Sequence, residues 1–424
     1  RILYLNWEKY LKEKMLREYK LLVKNSNFVY VWISQIFSQL TINIMNFLLL
    51  IGLFAKTQSA IATSFLWVSY SLPAILVGPV AAASVDMVDR RKILMISNLL
   101  QALTILSFAY LHETRFFLIY GVVFIYSFLN QFYVPAESAS IPSLVAQKDL
   151  PLANGLFFVT QQVSVVLGFG SAGLLVTYLG FRNSVLMCAV FLFIAFISVS
   201  FLPELRVKDS IPKNFEDAFI KFFQRIIEGY RFIKSHREII LPFSILIGIQ
   251  IGLAIATVNL PVVARDILNI ALNFSGIAIA VPAGLGAISA ALIIPKLLKA
   301  KIRKRKLIEI SFIIMAFSTL ALAIFTPNLG QFAKVFFGLI FIFLIGFSFI
   351  GVTIPSQTFL QEKTPGGLRG RVFGNYWFLV TMGTMIPVLL SGTIIEIFGV
   401  RFLFAIMGLL LSFAYLVSRK YEVI

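Results

Sequence analysis

The chain has 424 residues, of which 59% are hydrophobic and 13% are charged, and its mean hydropathy is +0.91. An ordinary soluble domain is about 45–50% apolar and about 25% charged, so this composition argues against a water-soluble fold and indicates a membrane protein. The net charge of +18 lies in short clusters between long apolar runs, a pattern typical of topology signals rather than of nucleic-acid binding. With one cysteine and two histidines, the sequence predicts neither an intramolecular disulfide nor a Cys/His metal site.

The predicted elements are transmembrane helices, because apolar runs of sufficient length follow one another along the whole chain. A helix needs about 20 predominantly apolar residues to span a bilayer. By this criterion the sequence predicts an all-α membrane protein with twelve spans, at 28–54, 60–84, 93–111, 116–135, 153–178, 183–202, 241–263, 272–295, 307–325, 332–358, 372–395 and 401–418.

The distribution of Lys and Arg predicts the orientation of these spans. With the N-terminus in the cytoplasm, 31 of the 37 basic residues fall in cytoplasmic segments and six fall on the opposite side. Cytoplasmic loops of membrane proteins carry such an excess of Lys and Arg. We therefore expect a multi-pass protein of the cell (inner) membrane with both termini in the cytoplasm.

The longest polar stretch follows the sixth span and divides the chain into two six-helix halves. The predicted organisation is an amphipathic cytoplasmic segment, a first half, a linker, a second half and a cytoplasmic tail, at 1–27, 28–202, 203–240, 241–418 and 419–424. From Phe215 to Ile233 the linker repeats apolar residues every three or four positions, which predicts a helix lying in the membrane interface.

Matching features recur in the two halves. A basic loop follows the second and the eighth span, at Asp86–Lys92 and Lys296–Lys306, and an aliphatic residue followed by proline ends the fourth and the tenth, at Val134–Pro135 and Ile354–Pro355. Pseudo-symmetric halves that meet at a central path are a transporter design.

Three stretches resemble a known family. They are GPVAAASVDMVDRRK at 78–92, FYVPAESASIPSLVAQKDLPLANGL at 132–156 and LRGRVFG at 368–374. The first resembles the loop between helices two and three of the major facilitator superfamily. The other two resemble the branch of macrolide-efflux proteins and enterobactin-type siderophore exporters. The resemblance covers about 28–418 and implies a secondary transporter with the fold of that superfamily.

The chain departs from the family pattern at two motifs. In the first loop, Ala82 and Met87 occupy positions that are usually glycine and a basic residue. In helix five, the segment from Gly168 to Gly173 lacks the proline of the family's antiporter motif. The second departure weakens an expectation of antiport.

The same loop carries a charged cluster of Asp86, Arg90 and Arg91. A carboxylate at the end of helix two and guanidinium groups one turn away can join neighbouring helix ends by charge-assisted hydrogen bonds. The resemblance implies a conformational latch that breaks as the halves move. The alternative is that the arginines only set the topology.

Amide side chains form a stripe on the first span, because Gln35, Gln39, Asn43 and Asn46 are spaced by four, four and three residues. Amides facing lipid would be costly, so they face either neighbouring helices or a wet cavity. In the resembled fold, helices one, four, seven and ten line a central cavity. The corresponding cavity candidates on the last three are Asn130, Gln131, Gln250, Thr257, Thr353 and Gln357.

Ionisable residues are absent from the middle of every predicted span. The carboxylates that come nearest are Glu137, at the cytoplasmic end of the fourth span, and Asp266 and Glu396 on the far side. Intramembrane ionisable residues are the usual proton relays, so coupling to a proton gradient is an expectation from the family that the residues support weakly. A cavity of amides and aromatic rings favours a neutral or amphiphilic substrate.

These observations predict a monomeric exporter of a small amphiphilic molecule, drug-like or siderophore-like, that works by alternating access. Its expected partners are this substrate and membrane lipids, with no nucleic acid and no cofactor. An enzyme is disfavoured, because the spans carry no nucleophile with a base and no metal ligands. A lipid or lysolipid flippase is the alternative within transport, and a receptor or scaffold on the same fold is the alternative outside it.

Overall fold

The computed structural model describes residues 22–85, 87–112, 117–205, 215–365 and 368–420. Over these residues the chain is almost entirely helical and contains no strand. In the first part of the chain the helices are α1 Ser26–Thr57, α2 Ala60–Ser84, α3 Arg90–Leu111, α4 Leu118–Leu144 and a long helical run Leu150–Ser200.

The long run contains two membrane spans rather than one. Its 51 residues would extend about 75 Å as a single helix, more than twice the thickness of the hydrocarbon core. The run is interrupted at Gly180, whose φ of 78° and ψ of 162° lie in a region that favours glycine. We call the part before Gly180 α5 and the part after it α6.

The second part of the chain begins with the linker helix, α7. Its helices are α7 Phe215–Ser235, α8 Arg237–Val258, α9 Leu260–Asp266, α10 Val281–Lys299, α11 Lys304–Leu320, α12 Gln331–Lys363, α13 Arg369–Phe398 and α14 Val400–Lys420. Within the described ranges, eleven helical segments are long and apolar enough to cross a membrane, and one of them is the interrupted α5–α6 run. The prediction of an all-α protein with twelve transmembrane helices is therefore confirmed.

Three predicted spans are less regular than expected. The span predicted at 241–263 is divided at Asn259, whose side-chain amide donates to the Ile255 carbonyl and to the Ser391 hydroxyl of α13 at 3.0 Å. A π-helical segment, Gly276–Ala280, precedes α10, and another, Ala321–Phe325, follows α11. Pro282 at the start of α10 lacks the N–H of a regular helix, which accounts for the irregular entry to that helix.

The chain forms two compact units whose boundary does not follow the linker. The first contains the described residues of Arg1–Met45, Leu76–Gly168 and Arg182–Phe219. The second contains the described residues of Asn46–Ile75, Phe169–Phe181 and Ile220–Ile424. The ends of α1, α2 and α5 that lie away from the basic segments thus cluster with the second half of the chain. The division into halves at 28–202 and 241–418 stays a prediction from the sequence.

Each unit has its own interior. In the first unit, Phe28, Leu94, Tyr133 and Phe157 are buried together between α1, α3, α4 and α5. In the second, separate buried clusters lie between α8 and α13 and between α10, α11 and α12. Many large apolar side chains remain exposed, including Phe332 on α12 at 86%, as expected for surfaces that face lipid.

The linker helix α7 is attached to α13. Glu228 forms an ion pair with Arg371, and the Asn375 amide donates to the Ile226 carbonyl at 2.9 Å. Tyr230 is exposed and Ile233 is buried, so the apolar positions of α7 are divided between protein and surroundings. Arg371 of the LRGRVFG motif at 368–374 thus contacts the linker helix.

The topology predicts that 203–240 and 296–306 lie in the cytoplasm. We call this the basic side of the bundle and the opposite one the far side. Single cysteines at Lys234 and Lys301, in a Cys188→Ser background, are expected to react with a membrane-impermeant thiol reagent only after the cells are permeabilised. Labelling of either cysteine in intact cells would contradict this orientation.

Candidate functional site

The arginines of the predicted latch hold helix ends together inside the first unit. Asp86, the third member, lies outside the described residues. Arg90 donates through Nη1 to the Ala139 carbonyl at 2.7 Å and to the Ser143 hydroxyl at 3.1 Å, both near the end of α4. Arg91 donates to the Ser200 carbonyl at the end of α6. The structure thus assigns the two arginines partners within the first unit, and the latch with Asp86 stays a prediction.

Asp89 also belongs to this cluster, although the resemblance to the family's loop did not single it out. Its Oδ1 accepts from the backbone N–H of Arg91 at 2.9 Å and of Leu205 at 3.1 Å, and the residue is buried. It therefore caps α3 and ties the start of this helix to the chain that leaves α6. The preference of aspartate for the position before the first residue of a helix would have identified it from the sequence.

The amide stripe of α1 contacts neighbouring helices along much of its length. Gln35 is only 4% exposed and donates to the Phe157 carbonyl of α5 at 3.1 Å, while its Oε1 accepts no hydrogen bond from the described residues. Asn43 donates to the Gln39 carbonyl at 2.8 Å and lies against Gly168. Asn46, in the second unit, interacts with the Tyr70 hydroxyl of α2. For Gln39, the fourth amide, no hydrogen bond of the side chain is found among the described residues.

The remaining cavity candidates divide between the two units. In the first unit, Asn130 has a buried Oδ1 without a partner among the described residues, and Gln131 donates weakly to the Ser127 carbonyl at 3.4 Å. In the second unit, most of the polar side chains hydrogen-bond to their own helix or lie beside a neighbouring side chain. Thr257 donates to Leu253, Thr353 donates to Phe349, Gln250 lies beside Tyr376, and Gln357 is partly buried.

A buried polar cluster around Tyr133 is the main feature that the sequence did not predict. The Tyr133 hydroxyl of α4 is 2.9 Å from the Ser34 hydroxyl of α1, which accepts from the Asn98 amide of α3 at 3.0 Å. Glu137, one turn further along α4, faces Tyr133 and is only 5% exposed. Its Oε1 has no hydrogen-bond partner among the described residues.

The two other titrating candidates lie on the far side and have partners. Asp266 forms an ion pair with Arg265, and its hydrogen bond raises the pKa of that guanidinium above the ordinary value. Arg265 also donates to the side chain of Gln58 in the α1–α2 turn. Glu396 of α13 accepts from the Ser59 hydroxyl and from the Ile61 N–H at 3.1 Å, so its carboxylate lies at the N-terminus of α2.

Glu137 is therefore the one candidate of the three with neither an ion pair nor a helix N-terminus described for it. The nearby Arg90 donates to Ala139 and Ser143 instead. We expect Glu137→Gln to change the dependence of transport on pH more than Asp266→Asn or Glu396→Gln does. Transport rates of the three variants between about pH 5.5 and 8.5 test this, and identical profiles would show that Glu137 does not titrate during transport.

Among the described residues, no group of three or more His, Cys, Asp or Glu side chains could hold a metal ion. The arrangement consists of helix-end braces, buried amides and a buried hydroxyl–carboxyl cluster. These groups can bind, orient and exchange protons with polar parts of a small molecule.

Known proteins resemble this chain over most of its length. The chain matches a family model described as Major Facilitator Superfamily over residues 31–386. It is 25% identical to the MFS-type transporter YfiS of Bacillus subtilis (strain 168) over 370 residues, 86% of this chain and 85% of that protein. It is also 25% identical to macrolide efflux protein A of Streptococcus pyogenes over 399 residues, 91% of this chain and 93% of that protein.

Solved structures show the same fold at low sequence identity. The nucleoside transporter NupG superimposes with a TM-score of 0.68 at 15% identity, covering 93% of this chain and 99% of that chain. The POT family transporter PepTSo superimposes with a TM-score of 0.72 at 12% identity, covering 94% and 98%. With a family model matched over most of its length, the chain belongs to the Major Facilitator Superfamily and is a multi-pass membrane transporter rather than an enzyme.

Proposed function

We propose that this transporter exports a small amphiphilic molecule, drug-like or siderophore-like, by alternating access. The observation that carries the proposal is the similarity to macrolide efflux protein A, which extends over 91% of this chain and 93% of that protein. Such coverage includes both six-helix halves, and therefore the helices that would line a central path. The identity of 25% supports a related class of substrate and leaves the compound itself to experiment.

The chemistry of the buried polar groups is consistent with an amphiphilic substrate. Gln35, Asn43 and Asn130 are uncharged, and Gln35 and Asn130 each keep an oxygen without a hydrogen-bond partner among the described residues. Neutral amides can bind hydroxyl and carbonyl groups of a largely apolar molecule without the cost of burying a charge. Glu137 is also buried, and its Oε1, which has no partner among the described residues, can accept a hydrogen bond from a polar group of the substrate.

Contacts on the far side support alternating access. Within the second unit, the end of α5 meets the chain before α10, where a Cβ on Gly173 would overlap the Asn273 carbonyl and a Cβ on Gly276 would overlap the Phe169 carbonyl. Gly392 of α13 similarly approaches Ala60 and Ser64 of α2. Small residues and a few polar contacts join segments of the first half to the second here. Such contacts can separate without exposing a large apolar core.

Flux measurements in proteoliposomes test this proposal. The purified chain is compared with empty liposomes for energy-dependent movement of a macrolide, a catecholate siderophore and a fluorescent lysophospholipid. Export of the macrolide or the siderophore above the empty-liposome rate supports the proposal. Movement of the lysophospholipid alone would replace the exporter with a flippase, and movement of none of the three would leave export of this class unsupported and favour a receptor role.

A further inference from the structure

The loop between α10 and α11 is more basic than the corresponding loop of the first half. Segment 296–306 contains seven Lys or Arg residues and no Asp or Glu. The corresponding loop of the first half, Asp86–Lys92, contains two aspartates and three basic residues. The second-half loop therefore lacks an internal counter-charge.

Part of this loop forms one side of a cleft in the second unit. The cleft has a volume of about 580 Å³ and lies between the end of α10, the start of α11 and the end of α12. Four of its lining residues are cations, Lys299, Lys301, Arg303 and Lys304, whereas Glu362 of α12 is its single anion. A volume of this size is within the range of small-molecule sites in proteins.

The cations of the cleft are mostly unpaired. Lys304 forms an ion pair with Glu362 and lies 6.0 Å from the centre of the Phe359 ring. For Lys299, Lys301 and Arg303, no ion pair is found with any residue that the structure describes. These three side chains are exposed, so their like charges repel one another at the opening of the cleft, and an anionic group bound there would relieve that repulsion.

The backbone of the loop has a defined helix-ending conformation at Lys301. Lys301 has a φ of 60°, in the left-handed region, at a helix end where glycine is the usual residue. The Lys301 N–H donates to the Leu298 carbonyl and the Ile302 N–H to the Leu297 carbonyl, both at 3.1 Å. This pair of bonds is the Schellman arrangement that ends a helix.

Apart from the charged residues, the walls of the cleft are mainly apolar. Leu298 and Ile302 contribute aliphatic surface, and Phe359, only 8% exposed, also lines the cleft. A free inorganic anion would use the cations alone. A lipid uses both features, because its phosphate meets the cations while its glycerol and the first acyl carbons meet the apolar wall.

We propose that this cleft binds the phosphate-bearing headgroup of an anionic phospholipid from the leaflet on the basic side. The cleft lies at the ends of three spans, which is the depth at which lipid headgroups are found, and basic pockets between helices on this side are suited to such headgroups. A bound phospholipid would join α10 and α11 to α12. This inference is independent of the transported substrate.

Binding of fluorescent phosphatidylglycerol to the purified full-length chain in neutral detergent tests the proposal. The cleft variant combines Lys299→Gln, Lys301→Gln and Arg303→Gln. The control variant combines Lys148→Gln, Lys234→Gln and Arg419→Gln, which removes the same charge from exposed positions on the basic side. We expect the cleft variant to lose at least about tenfold in affinity and the control variant to lose less than about twofold. Thermal unfolding of both variants checks that they remain folded.

Competition experiments separate the possible ligands. Unlabelled phosphatidylglycerol is expected to displace the probe, whereas phosphatidylcholine and inorganic phosphate at the same concentration are not. Equal losses in the cleft and control variants would show that only general surface charge attracts the lipid, and would overturn the site. Equal displacement by phosphatidylcholine would overturn its selectivity for anionic lipids. Displacement by inorganic phosphate would show that the cleft takes a free anion instead.

Discussion

Replacing Gly173 with alanine is expected to reduce transport by about 5- to 150-fold while leaving the protein folded and inserted. A Cβ at this position of α5 would overlap the backbone carbonyl of Asn273, and a backbone atom cannot move aside as a flexible side chain does. The neighbouring contact, between Gly276 and the Phe169 carbonyl, is equally close. The added methyl group therefore separates α5 from the chain before α10.

The magnitude follows from the cost of overpacking. Inserting a methyl group into a closely packed contact costs about 1–3 kcal/mol. Alternating access requires two states of similar free energy, and a shift of this size changes their ratio by about 5- to 150-fold. Because the contact lies on the far side, we expect the substitution to destabilise the state in which that side is closed. Folding of the six-helix halves should depend less on it.

Gly155→Ala is the matched control, because Gly155 lies on the same helix and a Cβ there meets nothing within 4 Å. Each variant is measured for transport and for labelling of a cysteine at Gln58, in the α1–α2 turn, by an impermeant reagent. Faster labelling with slower transport in Gly173→Ala alone is the expected result. Equal transport by the two glycine variants would refute a role for this contact.

The contact at Gly173 also shows why the sequence predicted the helices better than their arrangement. Hydropathy identifies spans because lipid imposes length and composition on each of them separately. A close approach of two backbones depends on both partners, and a glycine in a membrane helix is common enough to indicate nothing by itself. The boundaries of the compact units within α1 and α5, at Met45 and Gly168, were for this reason not predictable.

The candidate site shows the same limit. Spacing placed four amides on one face of α1, since helix periodicity relates residues of one element. It did not reveal that Gln35 donates to Phe157, because that contact depends on how α5 packs. Tyr133, Ser34 and Asn98 are single polar residues on three helices, with no period in any of them, and only their packing brings them together around Glu137. Glu137 was expected at an aqueous helix end, whereas the structure buries it.

Asp86→Asn is expected to cut transport by tenfold or more without loss of folded protein. In the proposed latch, the Asp86 carboxylate interacts with the arginines at the start of α3. A partly desolvated charge pair contributes on the order of a few kcal/mol to the state in which it forms. Asparagine keeps the size of the side chain and removes its charge. The substitution therefore changes the balance between transporter states, while the buried core remains as it is.

Arg91 connects this prediction to the structure. Its guanidinium already donates to the Ser200 carbonyl, so Arg91→Gln removes a helix-end brace together with the proposed latch. We expect Arg91→Gln to lower both transport and the midpoint of thermal unfolding, whereas Asp86→Asn lowers transport alone. Lys92→Gln is the control, because Lys92 is an exposed neighbour and its loss removes the same charge. It should leave both quantities close to those of the unsubstituted protein.

The three variants together distinguish a latch from a topology signal. If the cluster only sets the topology, transport should change little when any single charge is removed, because the excess of basic residues on this side is large. Asp86→Asn would then transport normally at normal expression, which would reject the latch. A latch instead makes transport depend on Asp86 and Arg91 but not on Lys92. Since Arg91 also braces the end of α6, the deciding contrast is between Asp86→Asn, which is expected to leave the unfolding midpoint unchanged, and Lys92→Gln.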